Sequence, residues 1–134
     1  MTIRYYFRKP ITPDVRGRLV LLLSNLNETR LIQVPHFLPV HVVPAPAVSD
    51  GEGGYGFAAF AWRPTPRVFL AGDVKEIAAG TSMDHQEALE MLEESFIHEL
   101  VHYEQWRDGR KIQERGVAVR TRNIHRKIKE ATAA

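Results

Sequence analysis

The chain has 134 residues, 44% hydrophobic and 25% charged, which is the size and composition of one ordinary globular domain. It contains no cysteine, which excludes a disulfide scaffold, an iron–sulfur cluster, a thiolate zinc ribbon and a cysteine nucleophile. Eighteen basic and sixteen acidic residues leave a net charge of +2, too small by itself to imply nucleic-acid or membrane binding.

Ile3, Tyr5 and Phe7 alternate with Arg4, Tyr6 and Arg8, predicting a strand with one buried face. Thr12-Pro13-Asp14 then reads as a helix start: a hydroxyl at the N-cap, proline at the first helical position and a carboxylate at the positive dipole end. Val15, Leu19, Leu22, Leu23 and Leu26 give that helix an apolar face, and Asn25-Leu26-Asn27 is expected to end it. Residues 31–34 and 38–43 read as short strands, the second near a sheet edge because Pro39 and Pro44 bound it. Residues 46–54 have no periodicity and many turn formers, so a loop is expected, with a flap over a cleft as its functional alternative. Residues 57–62 and 67–71 are strand-like and joined by Arg63-Pro64-Thr65-Pro66 as a hairpin.

From Asp84 the pattern is helical, with Leu89, Leu92, Phe96 and Leu100 on one face to about Trp106 and Gly109 placed to stop it. A last helix is expected from about Glu114 to Glu130, carrying Val117, Ile124 and Ile128, with residues 131–134 frayed. The domain is thus expected over residues 1–130. Residues 83–106 hold seven acidic residues and no Lys or Arg, whereas 107–130 hold nine Lys or Arg and three acidic residues. Two helices that attract each other when packed antiparallel account for this split, ahead of a nucleic-acid patch. The longest apolar run, residues 19–23, is far short of the ~20 residues a membrane helix needs. Residues 1–8 lack an apolar signal core, so a soluble cytoplasmic protein is expected.

The chemistry lies in His98-Glu99-Leu100-Val101-His102, an H-E-x-x-H sequence inside the strongest helical pattern of the chain. Four residues make about one helical turn, so both histidines leave the same face and can hold one metal ion. Glu99 sits about 100° around the helix, beside such an ion, where its carboxylate can take a proton from a bound water. A catalytic zinc keeps three protein ligands, and the downstream candidates are Glu114, His125 and Asp108. Asp108 has the metzincin spacing, but Gln105 stands where that pattern needs glycine and no methionine follows Met91. Glu114 is preferred because it is expected to open a helix folding back on the first. His125 is eleven residues further on, about 16 Å along a straight helix, so it cannot share the ion with Glu114.

FIHELVHYEQW followed by QERGVAVR resembles the minimal, gluzincin-like zinc metallopeptidases, single-domain zincins with H-E-x-x-H and a downstream glutamate. The resemblance implies His98, His102 and Glu114 as ligands of Zn2+ and Glu99 as general base. It implies an α+β fold with a small mixed sheet, an N-terminal helix and two C-terminal helices. It further implies an edge strand before the motif helix, residues 67–71, that aligns the substrate backbone. Such enzymes commonly carry a Tyr or His that steadies the oxyanion, and Tyr103 and His125 are the candidates here. His36 and His41 lie among prolines and are expected to be ordinary strand or loop residues. A zinc metallopeptidase acting on a peptide or protein is therefore the first expectation. The alternative is a non-enzymatic zinc module whose basic last helix contacts protein or nucleic acid.

Overall fold

The computed structural model describes residues 2–49, 51 and 55–132. Strand β1 (Ile3–Phe7) alternates as its sequence requires, with Ile3 buried and Arg4 and Tyr6 exposed. Helix α1 (Pro13–Thr29) buries Val15, Leu19, Leu22 and Leu26, and the Tyr5 hydroxyl donates to the Leu19 carbonyl at 2.7 Å. Thr12 holds the N-cap position, although its side chain makes no capping hydrogen bond. The helix runs past Asn25–Asn27 to Thr29, because the Leu26 carbonyl finds a donor at Arg30, whose φ of 51° turns the chain out.

Residues 31–34 form no strand. Ile32 and Val34 are buried as plugs at the end of the core, and the carbonyls there accept from scattered donors: Thr2 N–H and hydroxyl on Val34 at 3.4 and 2.9 Å, Arg107 on Gln33 at 2.6 Å and Arg120 on Leu31 at 3.3 Å. Strand β2 (Leu38–Val43) is interior rather than at an edge. Consecutive N–H groups of a strand point to opposite neighbours, and Leu38 N–H is given to Thr2 beside β1. The missing donor of Pro39 therefore faces the other way, where pairing begins only at Val40. Residues 46–54 are not wholly loop: β3 (Val48–Ser49) pairs antiparallel with β4 (Tyr55–Gly56), while residues 50 and 52–54 lie outside the described ones.

The hairpin is present as β5 (Ala58–Ala61) and β6 (Arg67–Ala71), giving a four-stranded sheet in the order β1-β2-β6-β5. The first three strands are parallel and β5 runs antiparallel along the edge. Helix α2 (Val74–Ala79) is an element the periodicity did not reveal; Asp73 caps it by accepting from the Glu76 amide at 3.2 Å. Helix α3 (His85–Arg107) opens on a full capping box, with Asp84 accepting from Glu87 N–H at 2.8 Å and Glu87 from Asp84 N–H at 3.1 Å. Gly109, at φ 69°, turns the chain after it.

Helix α4 (Val117–Thr132) begins after Gly116 at φ 79°, so Glu114 lies in the turn before the helix and not in its first turn. Residues 131 and 132, expected to be frayed, are helical. The α3 and α4 charges meet as their antiparallel packing requires: Arg120 forks onto Glu104 through two 2.7 Å bonds, and Lys129 reaches Glu90 at 2.9 Å. The four helices pack together over one face of the sheet, where Leu38, Val40, Val42, Val68 and Leu70 meet Leu19, Leu92, Phe96 and Leu100 in one buried cluster. Tyr5 lies between the layers, 5.8 Å from the Phe96 ring centre. The molecule is thus α+β, with a small mixed sheet and four helices. Among the described residues no helix is long and apolar enough to cross a membrane.

Candidate metal centre

His98 and His102 leave α3 from one face, with ring centres 4.9 Å apart and planes at 74°. The turn before α4 carries Glu114 across from the opposite side. Its Oε1 is 2.8 Å from His102 Nε2 and its Oε2 is 3.2 Å from His98 Nε2. One donor atom from each of the three lies within 4.8 Å of the others. In a tetrahedral site with bonds near 2.0–2.1 Å, neighbouring ligand atoms stand ~3.3 Å apart. The two Glu114 contacts, at 2.8 and 3.2 Å, are close to that spacing, and all three donor atoms fall within 4.8 Å of one another.

The orientation of His102 comes from Gln105, one turn further along α3. His102 Nδ1 lies 3.0 Å from Gln105 Oε1, an atom that can only accept. The same oxygen accepts from Gln113 N–H at 3.1 Å while Gln105 Nε2 donates to the Gln113 carbonyl at 3.0 Å, which fixes which end of the amide is which. Nδ1 therefore holds the proton, and Nε2 presents a lone pair to the Glu114 carboxylate. Two lone pairs at 2.8 Å repel unless a cation lies between them, either a proton or a metal ion. Burial holds His98 below its ordinary pKa, with Glu114 pulling the other way and His102 reinforcing the burial, which favours the neutral imidazole that ligates metals. Glu114 is largely open to solvent, so the donor set is closed on the protein side and open on the other.

Glu99 lines one cleft with His102 and Glu114 and reaches the backbone amide of Phe60 on the sheet. Burial pushes its carboxyl up to about 7, with the Glu114 carboxylate adding to the rise, and His102 and the backbone amide of Phe60 opposing it. The Phe60 amide is free to do this because of its place on β5. Ala71 N–H pairs with the Phe57 carbonyl at 2.8 Å, so residues 57, 59 and 61 serve the ladder to β6. Ala58 and Phe60 point their backbone groups out of the sheet edge. The edge strand beside the site is accordingly β5, not residues 67–71, which form the interior strand β6. A cleft of ≈ 660 Å³ runs along β5 from Tyr55 to Trp62 and Arg63, with Glu99, His102, Gln113 and Glu114 as its opposite wall.

The remaining candidates lie elsewhere. Asp108 is held by Arg107 at 2.9 Å and Arg110 at 3.6 Å. His125 is buried on α4 against Glu94 at 3.2 Å and Glu93 at 3.7 Å. Tyr103 is fully buried, its hydroxyl 2.7 Å from His36 Nδ1 and accepting from His36 N–H at 3.2 Å. His41 is on β2, stacked between Tyr6 and Phe69. Neither Tyr103 nor His125 is among the described residues lining the cleft. Gln105 was missed in the sequence as a functional residue; its signal was the three-residue spacing from His102, one turn along the same helix face.

No family model, curated protein or solved structure matches this chain.

Proposed function

We propose that the chain is a zinc-dependent metallopeptidase of zincin type, with His98, His102 and Glu114 as the metal ligands and Glu99 as the general base. The observation that carries this reading is that a turn remote from the motif delivers Glu114 to both motif histidines, while Glu99 stands in the adjoining cleft. When bound, zinc supplies Lewis acidity, polarising a substrate carbonyl and bringing the pKa of a coordinated water to about 7. The outward backbone groups of Ala58 can pair with an extended peptide laid along β5, which sets the scissile bond across the cleft. The Glu99 carboxylate takes a proton from the attacking water as the carbon–oxygen bond forms. It returns that proton to the amine nitrogen as the carbon–nitrogen bond breaks. Burial suits Glu99 to this exchange, since a carboxyl poised near neutrality both accepts and donates.

The test is zinc content by elemental analysis on wild type and Glu114→Ala, with a peptide-library screen on wild type and Glu99→Gln. The expected result is about one zinc per wild-type chain, sharply less in Glu114→Ala, and cleavage only by wild type. No zinc in metal-replete wild type would overturn the reading. Zinc without any cleavage would favour the non-enzymatic module.

A further inference from the structure

Parallel strands are ordinarily covered on both faces, yet the helices here cover only one face of β1, β2 and β6. On the other face Tyr6, His41 and Phe69 occupy facing register positions on the three strands. Their rings form a continuous stack, with 5.4 Å and 23° between Tyr6 and His41 and 5.2 Å and 22° between His41 and Phe69. Arg4 lies over the Tyr6 ring at 5.3 Å and Arg67 over the Phe69 ring at 5.9 Å. Arg8 stands on the same side of β1, two residues beyond Tyr6. The ion pairs between α1, α3 and α4, such as Arg18–Glu93 and Lys129–Glu90, lie in the helical layer, away from this face. Burial lowers the His41 pKa first, and the two charges that add to the effect, Arg8 and Arg67, are both positive.

We propose that this sheet face binds single-stranded nucleic acid, with Arg4, Arg8 and Arg67 taking phosphates and the Tyr6–His41–Phe69 stack meeting bases. Charge complementarity selects the occupant. A second copy of the chain would set these arginines against themselves across a two-fold axis. An acidic peptide would satisfy the arginines but leave the aromatic stack unused. A phosphodiester strand uses both, because every base has a π-face and every linkage a negative charge. The stack ends at Tyr6, which is 37% exposed on edge strand β1 and carries Arg4 over its ring at 5.3 Å, so an unpaired base takes the place of Arg4 on that ring as the guanidinium turns to a phosphate. A duplex keeps its bases inside and offers only its backbone. The surface differs from the basic helix α4, part of whose charge is taken up by Glu104 and Glu90. At its β6 end the surface adjoins the cleft beside the candidate metal centre, because Arg67 also lines that cleft, with one guanidinium nitrogen donating to the Arg63 and Thr65 carbonyls at 2.7 and 3.1 Å.

The test is fluorescence anisotropy of a labelled 15-residue oligothymidylate with the full chain, titrated at several salt concentrations. Binding is expected at low salt, tighter than to a duplex of equal length. Three phosphate contacts give a slope of about −2 in log K against log salt. Arg4→Ala with Arg8→Ala should flatten the slope by about 1.4. Tyr6→Leu, which keeps apolar bulk but removes the ring, should weaken binding roughly 5- to 150-fold. Circular-dichroism melts of each variant exclude unfolding as the cause. The proposal is overturned by no binding at low salt, by a polyglutamate peptide competing as well as the oligonucleotide, or by binding lost in Arg122→Ala/Arg126→Ala but kept in the sheet variants.

Discussion

Replacing Gln105 by leucine keeps the buried volume beside His102 and removes every hydrogen bond the amide makes. Three are lost: the acceptor for His102 Nδ1–H at 3.0 Å and the two to the Gln113 backbone, at 3.0 and 3.1 Å. Gln113 is exposed, so water replaces its partners, whereas His102 is buried and its N–H is left without one. That orphaned donor costs about 1–3 kcal/mol. The ring then loses its fixed tautomer, and the turn that delivers Glu114 loses its tie to α3. Partners of this kind are worth roughly 10- to 100-fold in metal affinity, or about 1.4–2.7 kcal/mol. Competition against a chromophoric chelator measures zinc affinity without reference to any substrate. Gln105→Leu should fall by that factor, while Gln105→Glu, which still accepts from Nδ1–H, should lie nearer wild type. Imidazole nitrogen shifts report the tautomer directly: Nδ1–H in wild type, mixed in Gln105→Leu. Affinity for Gln105→Leu within twofold of wild type would refute the positioning argument.

Glu99→Gln should keep the zinc affinity and the melting temperature of wild type and lower peptide hydrolysis by about 10²- to 10⁴-fold, read as kcat/KM. The base works only when deprotonated, and a bound cation lowers a carboxyl that burial alone sets near 7; the acid limb of kcat/KM should therefore rise with pH and have its midpoint below 7. Glu93 is buried, which opposes its ionisation, yet His125 and Arg18 beside it hold its pKa below the ordinary 4.5. Its contribution to stability is full above that value and lost as pH falls through the lower folded pKa, so Glu93→Gln should flatten the acid side of a denaturation series. A Cβ at Gly72 would stand 2.7 Å from both Ile11 Cδ1 and Val42 Cγ1 and 3.1 Å from the Val43 carbonyl oxygen. Gly72→Ala should cost about 1–3 kcal/mol in urea denaturation.

Much of the helical framework was legible because its signals are local. Asp84 and Glu87 start α3, Gly109 stops it, and four-residue spacing alone puts His98 and His102 on one face. Thr12-Pro13 likewise marks the start of α1, and the alternation of residues 3–7 marks β1. The errors lie where a neighbour decides. The apolar run 31–34 looks like a strand, but a strand needs a neighbouring strand to complete its ladder, and here the donors are Thr2 and the side chains of Arg107 and Arg120. Pro39 suggests an edge until the stagger of β6 shows that its missing donor faces no strand. Residues 67–71 are suited to an edge or an interior by composition, and the hairpin to β5 makes them interior. Glu114 is preferred as third ligand in the sequence because it is expected to open the last helix, whereas it lies in the turn before that helix. What brings its carboxylate to the histidines is the packing of α4 on α3, tied by Arg120 on Glu104 and by Gln105 on Gln113. The sequence by itself determined the helical pair of histidines, the carboxylate between them and the absence of thiolate alternatives, because an α-helix converts spacing into direction. Only the tertiary structure decided the convergence with Glu114, the Gln105 clasp, the edge role of β5 and the stacked aromatic face, because each depends on elements that meet through the core from distant parts of the chain.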